Sequence, residues 1–466
     1  MNRAILSMSG VLALSACSME PKYVQPTPAV PSSWPVGDAY LRASEAALPS
    51  VGYRAVFRDP KLLALIDRAL ANNQDIRLAL ANVVIARGQL RVQRAQQLPR
   101  IDASAAATFS DNGTARTNNV NAGGGTNESY SVDAGLSAFE IDLFGRLRSL
   151  SKAALNEYLG TEAAVRAARL SLVAETASAY LTLATDRSLL AIAIDTEISA
   201  QRSVDLTGAR LSGGVAPRTE LRQAETILAQ ARADRADLIT LVAQDRNALQ
   251  LLVGAPVEEA DLPASIESVD GLLSELPAGL DSRVLLRRPD VIQAEYQLKA
   301  ENARIGAARA AFFPTISITG LAGLASNALS ALFTGGAFNW SAGVNASLPI
   351  FDGGANRGNL TTAQGQRDAA VATYQKTIQS AFRDVSDALA RRGTIGDKFT
   401  AQADLAASAQ DSFTLTEARY RQGIDSFLES LDAQRTLYSA RRALASAYLA
   451  RADNLVQLYR ALGSDI

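Results

Sequence analysis

The chain carries one plan twice, and this duplication restricts its fold more than any single motif does. The segment ARLSGGVAPRTELRQAE, at residues 209–225, is echoed about 209 residues later by RYRQGIDSFLESLDAQR, at residues 419–435. Pro99 is matched in the same way by Pro314, and Gly254 by Gly463. We therefore predict a first repeat over residues 61–255 and a second repeat over residues 284–466.

Long tracts of each repeat contain no proline and are rich in strong helix formers. Proline is absent between Pro99 and Pro217 and again after Pro349. A helix over about residues 146–211 would be on the order of 100 Å long, which is typical of coiled coils. A seven-residue spacing supports this interpretation in the last helix, at Leu431, Tyr438, Ala445, Ala452 and Tyr459. The sequence therefore predicts long antiparallel helices that pack side by side.

Four shorter runs alternate apolar residues with small or polar ones, at about residues 101–109, 130–139, 315–323 and 340–350. Each has the length of a tilted membrane-spanning strand. Aromatic residues gather near the ends of these runs, where they could form an interfacial girdle or pack in a core; they are Phe139, Phe144, Phe312, Phe313, Phe338, Trp340 and Phe351.

Four strands cannot close a barrel, since about eight is the practical minimum, and lipid does not tolerate open sheet edges. We therefore expect the chain to form an oligomer to which each subunit contributes four strands. A homotrimer would give a 12-stranded barrel that continues into a cylinder of 12 helices. The predicted fold class is an α+β membrane protein with an internal structural repeat.

The first residues have the pattern of an export signal. Arg3 precedes an apolar stretch that is too short to span a bilayer, and LSAC at residues 14–17 resembles a lipoprotein processing site. We predict a signal peptide over residues 1–16 and a lipid on Cys17, rather than a plain signal peptide with an incidental cysteine. Residues 17–60 are predicted to be an extended segment, proline-rich at its start. No transmembrane helix is expected after Cys17.

Composition argues against several classes of function. The chain has no histidine, one cysteine, three methionines and a net charge of −1. Histidine is the commonest general base and metal ligand, so its absence disfavours an enzyme and a metal site. A chain without a basic excess is not expected to bind nucleic acid. Apart from the lipid on Cys17, no cofactor is expected.

Several motifs resemble those of the TolC family of trimeric outer-membrane channels, in particular its lipoprotein branch in tripartite efflux pumps of the resistance-nodulation-division type. They are FEIDLFGRLR (139–148), LLRRPDVIQAE (285–295), FFPTISITG (312–320), LPIFDGGANRGN (348–359) and RYRQGIDSFLESLDAQR (419–435). The resemblance implies an outer-membrane β-barrel, a helical periplasmic tunnel and an equatorial insertion over residues 256–283. It also implies passive export of drugs or other small amphiphiles.

The resemblance further implies partners and site residues. The partners are a periplasmic adaptor, an inner-membrane pump and outer-membrane lipid. Two helix-hairpin tips would contact the adaptor, at Gly213, Gly214, Val215, Ala216, Gly423, Ile424, Asp425 and Ser426. Tyr420, Asp432 and Arg435 match residues that close the periplasmic aperture in the family. A threefold ring of carboxylates would select for cations, or be held by Arg435 and Tyr420 as a latch.

Three other functions remain open from the sequence. Within the same family, the channel could export metal ions or secrete proteins by the type I route. The scarcity of soft ligands disfavours metal export. From a different class, the chain could be a lipid-anchored coiled-coil scaffold without a pore, which the strand alternation disfavours.

Overall fold

The structure is a computed structural model that describes residues 18–31, 33–35, 52–111, 126–269 and 282–463. The predicted signal peptide and Cys17 lie outside the described residues, as do the polar loop over residues 112–125 and the last part of the predicted insertion, residues 270–281. Two compact units make up the chain. The first combines Met1–Pro26, Val83–Thr161 and Ala294–Tyr374, and the second combines Thr27–Asn82, Glu162–Gln293 and Gln375–Ile466.

The secondary structure repeats with matching lengths. In chain order the elements are α1 (Tyr53–Val56), α2 (Pro60–Asn72), α3 (Gln74–Ala95), β1 (Ile101–Asp111), β2 (Thr126–Ile141), α4 (Arg146–Ser212), α5 (Arg218–Val253), α6 (Pro289–Ala310), β3 (Thr315–Ser326), β4 (Phe338–Ser347), α7 (Ala355–Arg421) and α8 (Phe427–Leu462). Helices α4 and α7 each have 67 residues, and α5 and α8 each have 36. At 1.5 Å per residue the longer pair measures about 100 Å. The predicted duplication is therefore present element by element from α3 to α5 and from α6 to α8, whereas α1 and α2 have no α-helical counterpart in the described part of the second repeat.

In the first unit, β1 to β4 form one antiparallel sheet in the order β1-β2-β3-β4. Directly paired residues share a face, so the register sorts the side chains into two sets. One face is apolar, and in β4 it carries Phe338, Trp340, Ala342, Val344 and Ala346. The opposite face is mainly polar or small, and in β4 it carries Asn339, Ser341, Gly343, Asn345 and Ser347. The side chains of Trp340 and Val344 are 71% and 73% exposed in the single chain.

A bulge in β2 keeps the apolar and the polar side chains of this strand on their respective faces of the sheet. The register with β3 shifts between Leu136 and Phe139, and Ala138 in the shift has a φ of 49°. An extra residue in one strand reverses which face the following side chains point to. Phe139 therefore stays on the apolar face, and Glu140 points to the polar face, where it pairs with Arg146 at 2.5 Å.

The N-terminal segment is extended, as predicted, but it is not a free tether. Within the first unit, the Asn302 side chain donates a 2.8 Å hydrogen bond to the backbone oxygen of Pro21. The hydroxyl of Tyr23 donates to Glu295 at 3.2 Å. In the second unit, Trp34 stacks on Phe382 with ring centroids 4.9 Å apart. These contacts hold the segment along the helices.

In the second unit, the predicted heptad positions of α8 face other side chains. Leu431 and Tyr459 are buried, and the intervening alanines are buried or half-buried. One small cluster combines Ala406 and Ala409 of α7 with Leu437 and Ala440 of α8. Short side chains at such positions allow close approach of long helices, which supports the packing predicted from sequence.

The described part of the insertion, Pro256 to Val269, packs on neighbouring helices of the second unit. Arg68 on α2 pairs with Asp261 at 2.7 Å, and Lys61 donates to the Leu262 carbonyl at 3.0 Å. Arg187 on α4 donates to the Pro263 carbonyl at 2.8 Å. The segment is therefore anchored at several points.

Some boundaries differ from the sequence prediction. Strand β4 ends at Ser347, three residues before the predicted end at residue 350, because Pro349 has no N–H to donate to a sheet. Strand β2 begins at Thr126, four residues earlier than predicted. The one-turn helix Tyr53–Val56 lies in a segment predicted to be extended. Among the described residues, no helix has a run long and apolar enough to cross a bilayer.

The two faces of β4 can be tested with neighbouring substitutions. An arginine on a lipid-facing strand position near the bilayer midplane costs about 2 to 4 kcal/mol. The sequence predicts that the apolar face contacts lipid, so we expect Val344→Arg to reduce strongly the amount of assembled oligomer recovered from the membrane. Asn345→Arg, one residue along on the polar face, is the matched control and should assemble close to the wild-type level. Equal assembly of both variants would contradict the assignment of the faces.

Candidate functional site: the helix-hairpin tips

The two helix hairpins of the second unit reverse direction through the same backbone turn. In the first, Gly214 has a φ of 73° and the Val215 N–H donates to the Arg210 carbonyl at 2.9 Å. In the second, Gly423 has a φ of 77° and the Ile424 N–H donates to the Arg419 carbonyl at 2.9 Å. This is the Schellman arrangement, in which a residue with positive φ lets the chain satisfy the last carbonyls of a helix.

Side chains make the two turns different. At the second turn, the Ser426 hydroxyl accepts a hydrogen bond from the Glu429 N–H at 3.4 Å and caps α8. The Arg419 guanidinium also forms two hydrogen bonds with the Asp425 carboxylate, at 2.6 and 2.8 Å. This pairing lowers the pKa of Asp425. At the first turn, Pro217 is the N-cap of α5 and provides no side-chain cap.

Tyr420 lies at the centre of the contact between the two hairpins. It is buried in an apolar cluster with Ala224 of α5 and with Phe427 and Leu431 of α8. Burial of Phe427 and Leu431 contributes about 1.5 to 3 kcal/mol each. Burial also raises the pKa of the Tyr420 hydroxyl, which donates a 3.5 Å hydrogen bond to Glu220 of α5.

Arg210, near the end of α4, also contacts Tyr420. Its guanidinium lies over the aromatic ring, 4.7 Å from the centroid, and donates to the Tyr420 carbonyl at 3.1 Å. Arg210 and Glu220 thus approach the same tyrosine from the two arms of the first hairpin.

The other two predicted gate residues lie on α8, away from these contacts. Asp432 and Arg435 are both exposed, and within the described part of the single chain neither side chain forms an ion pair or hydrogen bond. Arg435 lines a cavity of about 280 Å³ together with Thr196, Gln434 and Tyr438. Tyr420 is therefore held by Arg210 and Glu220 in the single chain, and no hydrogen bond or ring contact among the described residues joins it to Asp432 or Arg435.

Most of the predicted adaptor-contacting residues are accessible. Val215 and Ile424 are 71% and 60% exposed, although both are large and apolar. The glycines of both tips and Ser426 are exposed, whereas Ala216 and Asp425 are half-buried. Isolated exposed apolar residues are common on protein surfaces, but here one projects from each of two matching turns.

The sequence prediction missed Arg210 and Glu220. A position-by-position comparison of the repeats could have found Arg210 but not Glu220, which matches another glutamate, Glu429. Arg419 has an acidic partner six residues later at Asp425, whereas the matching position after Arg210 is Ala216. An arginine that lacks its local partner is a candidate for a contact elsewhere, and this signal was present in the sequence.

Comparison with known proteins supports the class that this fold indicates. The model of the outer membrane efflux protein family matches residues 65–255 and 280–464. The chain is 42% identical to the solvent efflux pump outer membrane protein SrpC of Pseudomonas putida over 464 residues, covering 98% of this chain and 97% of the relative. It is 40% identical to the outer membrane protein OprJ of Pseudomonas aeruginosa, covering 97% of this chain and 94% of OprJ.

Solved structures of outer-membrane proteins have the same fold as this chain. A membrane protein from Pseudomonas aeruginosa, 38% identical, superposes with a TM-score of 0.87, covering 96% of this chain and 100% of that one. The open state of the MtrE outer membrane channel of Neisseria gonorrhoeae, 37% identical, gives a TM-score of 0.82, covering 96% of this chain and 98% of that one.

The two-faced sheet and the duplicated long helices define an outer-membrane efflux channel with the α+β fold of the TolC type. The chain belongs to the outer membrane efflux protein family. The resemblance and fold class predicted from the sequence are confirmed, and so are efflux as the function and the outer membrane as the location.

The turn glycines can be tested with a matched pair. An added Cβ at Gly423 would meet only the Arg210 guanidinium, at an ordinary 4.0 Å, but the φ of Gly423 is positive, so Gly423→Ala should cost about 1 to 2 kcal/mol through backbone strain. Such a loss corresponds to roughly 5- to 30-fold faster amide hydrogen exchange at the tip. Gly213 has no positive φ, and an added Cβ would make only ordinary contacts. Gly213→Ala should therefore leave exchange unchanged or slow it. Acceleration by Gly213→Ala alone would contradict this account.

Proposed function

We propose that the chain forms a homotrimer that is the passive exit duct of a tripartite efflux pump. The observation that carries this proposal is the four-stranded sheet, which has one apolar face, one polar face and two outer strands, β1 and β4, each paired on one side in the single chain. Three such sheets, joined edge to edge, would give a 12-stranded barrel with apolar residues towards lipid and polar residues towards a water-filled lumen.

The proposed partners are a periplasmic adaptor and an inner-membrane pump. We propose that the adaptor contacts the two hairpin tips, where Val215 and Ile424 project from matching turns and the neighbouring glycines leave the backbone accessible. The channel itself would use no cofactor, and the pump would supply the energy. A lipid on Cys17, which lies outside the described residues, would add an anchor in the outer membrane.

The proposed gate consists of Tyr420, Asp432 and Arg435. In a homotrimer, each position becomes a ring of three residues. Asp432 and Arg435 are exposed and without a charged partner in the described part of the single chain, so they are available to contact a neighbouring subunit. Exposed ion pairs contribute only about 0 to 1 kcal/mol each, so a threefold set would form a latch that can open reversibly.

The proposed substrates are drugs and other small amphiphiles. Relatives that are 42% identical are named as toluene, solvent and antibiotic efflux pump outer membrane proteins. These names support a substrate class of apolar or amphipathic small molecules for the whole pump. Type I protein secretion and metal-ion export are the competing proposals.

A drug-susceptibility panel tests the transport proposal. Deletion of the gene that encodes this chain should make the cells more susceptible to several unrelated amphiphilic drugs or solvents. A plasmid that carries the wild-type gene should restore resistance. A deletion that leaves the whole panel unchanged but abolishes secretion of a protein, or tolerance of a metal ion, would overturn this proposal in favour of a competing one.

The gate is tested by single-channel conductance of the purified channel in a planar bilayer. We expect Asp432→Ala and Arg435→Ala to raise the conductance of the resting channel, because each removes one side of the latch, and Asp432→Ala to reduce cation selectivity as well. Asp397→Ala is the matched control, since Asp397 is an exposed aspartate of α7 that lies more helical turns from the tips than Asp432 and Arg435 do. Unchanged conductance in both gate variants would count against a latch at these residues.

A further inference from the structure

The two matching arginines of the hairpin turns have different partners. Arg210 and Arg419 occupy the same position in their Schellman turns, since each provides the carbonyl that accepts from the residue after the glycine. Arg419 is neutralised within its own turn by Asp425. The position that matches Asp425 in the first turn is Ala216, which cannot form an ion pair. The first turn therefore leaves Arg210 without a local carboxylate.

Arg210 contacts the second hairpin instead. Its guanidinium covers the ring of Tyr420 at 4.7 Å and donates to the Tyr420 carbonyl at 3.1 Å. That carbonyl lies in the last turn of α7 and also accepts from the Gly423 N–H at 2.9 Å. A cation is favoured at a helix C-terminus, where the carbonyls carry partial negative charge. Arg210 therefore makes two direct contacts with Tyr420, one with the ring and one with the backbone carbonyl. The charge of Arg210 also interacts favourably with the dipole of α7.

Tyr420 is held from both arms of the first hairpin. Arg210 comes from α4 and contacts the ring and the backbone, whereas Glu220 comes from α5 and is 3.5 Å from the hydroxyl. Arg210 is half-buried, and in the described residues no carboxylate forms an ion pair with it. A cation–π contact is stronger where water is partly excluded and no anion competes for the cation.

We infer that Arg210 is the positioning residue of the gate: it holds Tyr420, and with it the second hairpin, in the resting arrangement. This inference rests on the proposed gate. Separation of the second hairpin from the first would break the ring contact and the carbonyl hydrogen bond at the same time. Because both contacts come from one side chain, removal of that side chain favours the open state of the gate while Asp432 and Arg435 remain unchanged.

The test compares Arg210→Ala with Arg419→Ala in the full-length channel. Both changes remove an arginine from the same turn position, but only Arg210 contacts the other hairpin. Loss of a cation–π contact and a charged hydrogen bond is expected to raise the open-to-closed ratio of the resting channel about fivefold. The measurements are single-channel conductance in a planar bilayer and entry of a bulky hydrophilic antibiotic into cells without a functional pump. Arg419→Ala should stay close to the wild type.

Two further variants make the result specific. Arg210→Lys keeps the charge and should restore part of the closed state. Tyr420→Ala removes the ring contact but keeps the backbone carbonyl, so it should also open the channel, and the double variant should open it by less than the sum of the two single effects, because the ring contact is shared. Variants are compared at equal outer-membrane levels. If Arg210→Ala does not assemble, Arg210→Gln replaces it with the same expectation.

The results distinguish failure of the role inferred for Arg210 from failure of the proposed gate. If Tyr420→Ala opens the channel and Arg210→Ala does not, the gate stands and the role of Arg210 is overturned. If Arg419→Ala opens the channel as much as Arg210→Ala, the effect is a general weakening of the tips and the inference is also overturned. If no variant at Tyr420, Asp432 or Arg435 changes conductance, the proposed gate itself is wrong.

Discussion

Backbone hydrogen bonding in lipid is the constraint on which the rest of this structure depends. An unpaired N–H or C=O in the hydrocarbon region costs several kcal/mol, so a membrane sheet must have no open edge. In the described chain, β1 pairs with β2 and β4 pairs with β3, and each has its other edge free. The free edges must therefore be paired in the membrane, and we propose that other copies of the same chain pair them. The proposed homotrimer, its lumen and the proposed rings of gate residues all rest on that requirement.

The duplication explains why one chain can supply two similar helix hairpins, and a few side chains explain why they differ. Helix lengths and turn geometry are kept between the halves, down to the positive φ at Gly214 and Gly423. Ala216 in the first turn stands where the second turn has Asp425, so Arg210 is available to the second hairpin, whereas Asp425 pairs with Arg419. A difference at one position thus accompanies the difference between a local ion pair and a contact between hairpins.

Most of the fold could be predicted from the sequence because the helices and strands have strong periodic patterns. Helix α4 was predicted to end at residue 211 and ends at Ser212. The bulge in β2 could not be predicted, because Ser137 and Ala138 look like ordinary strand residues and only the pairing with β3 reveals the extra one. The contact of Arg210 with Tyr420 joins residues 210 positions apart, and periodicity carries no information about such pairs.

The mass of the channel in a mild detergent tests the central claim most directly. We predict a single species of three chains that stays intact until the sheet is denatured, because in the proposed homotrimer each β1 edge pairs with the β4 edge of a neighbour. Chemical cross-links between β1 and β4 should then join different chains. A stable, folded monomer that retains the sheet and conducts ions would contradict the account.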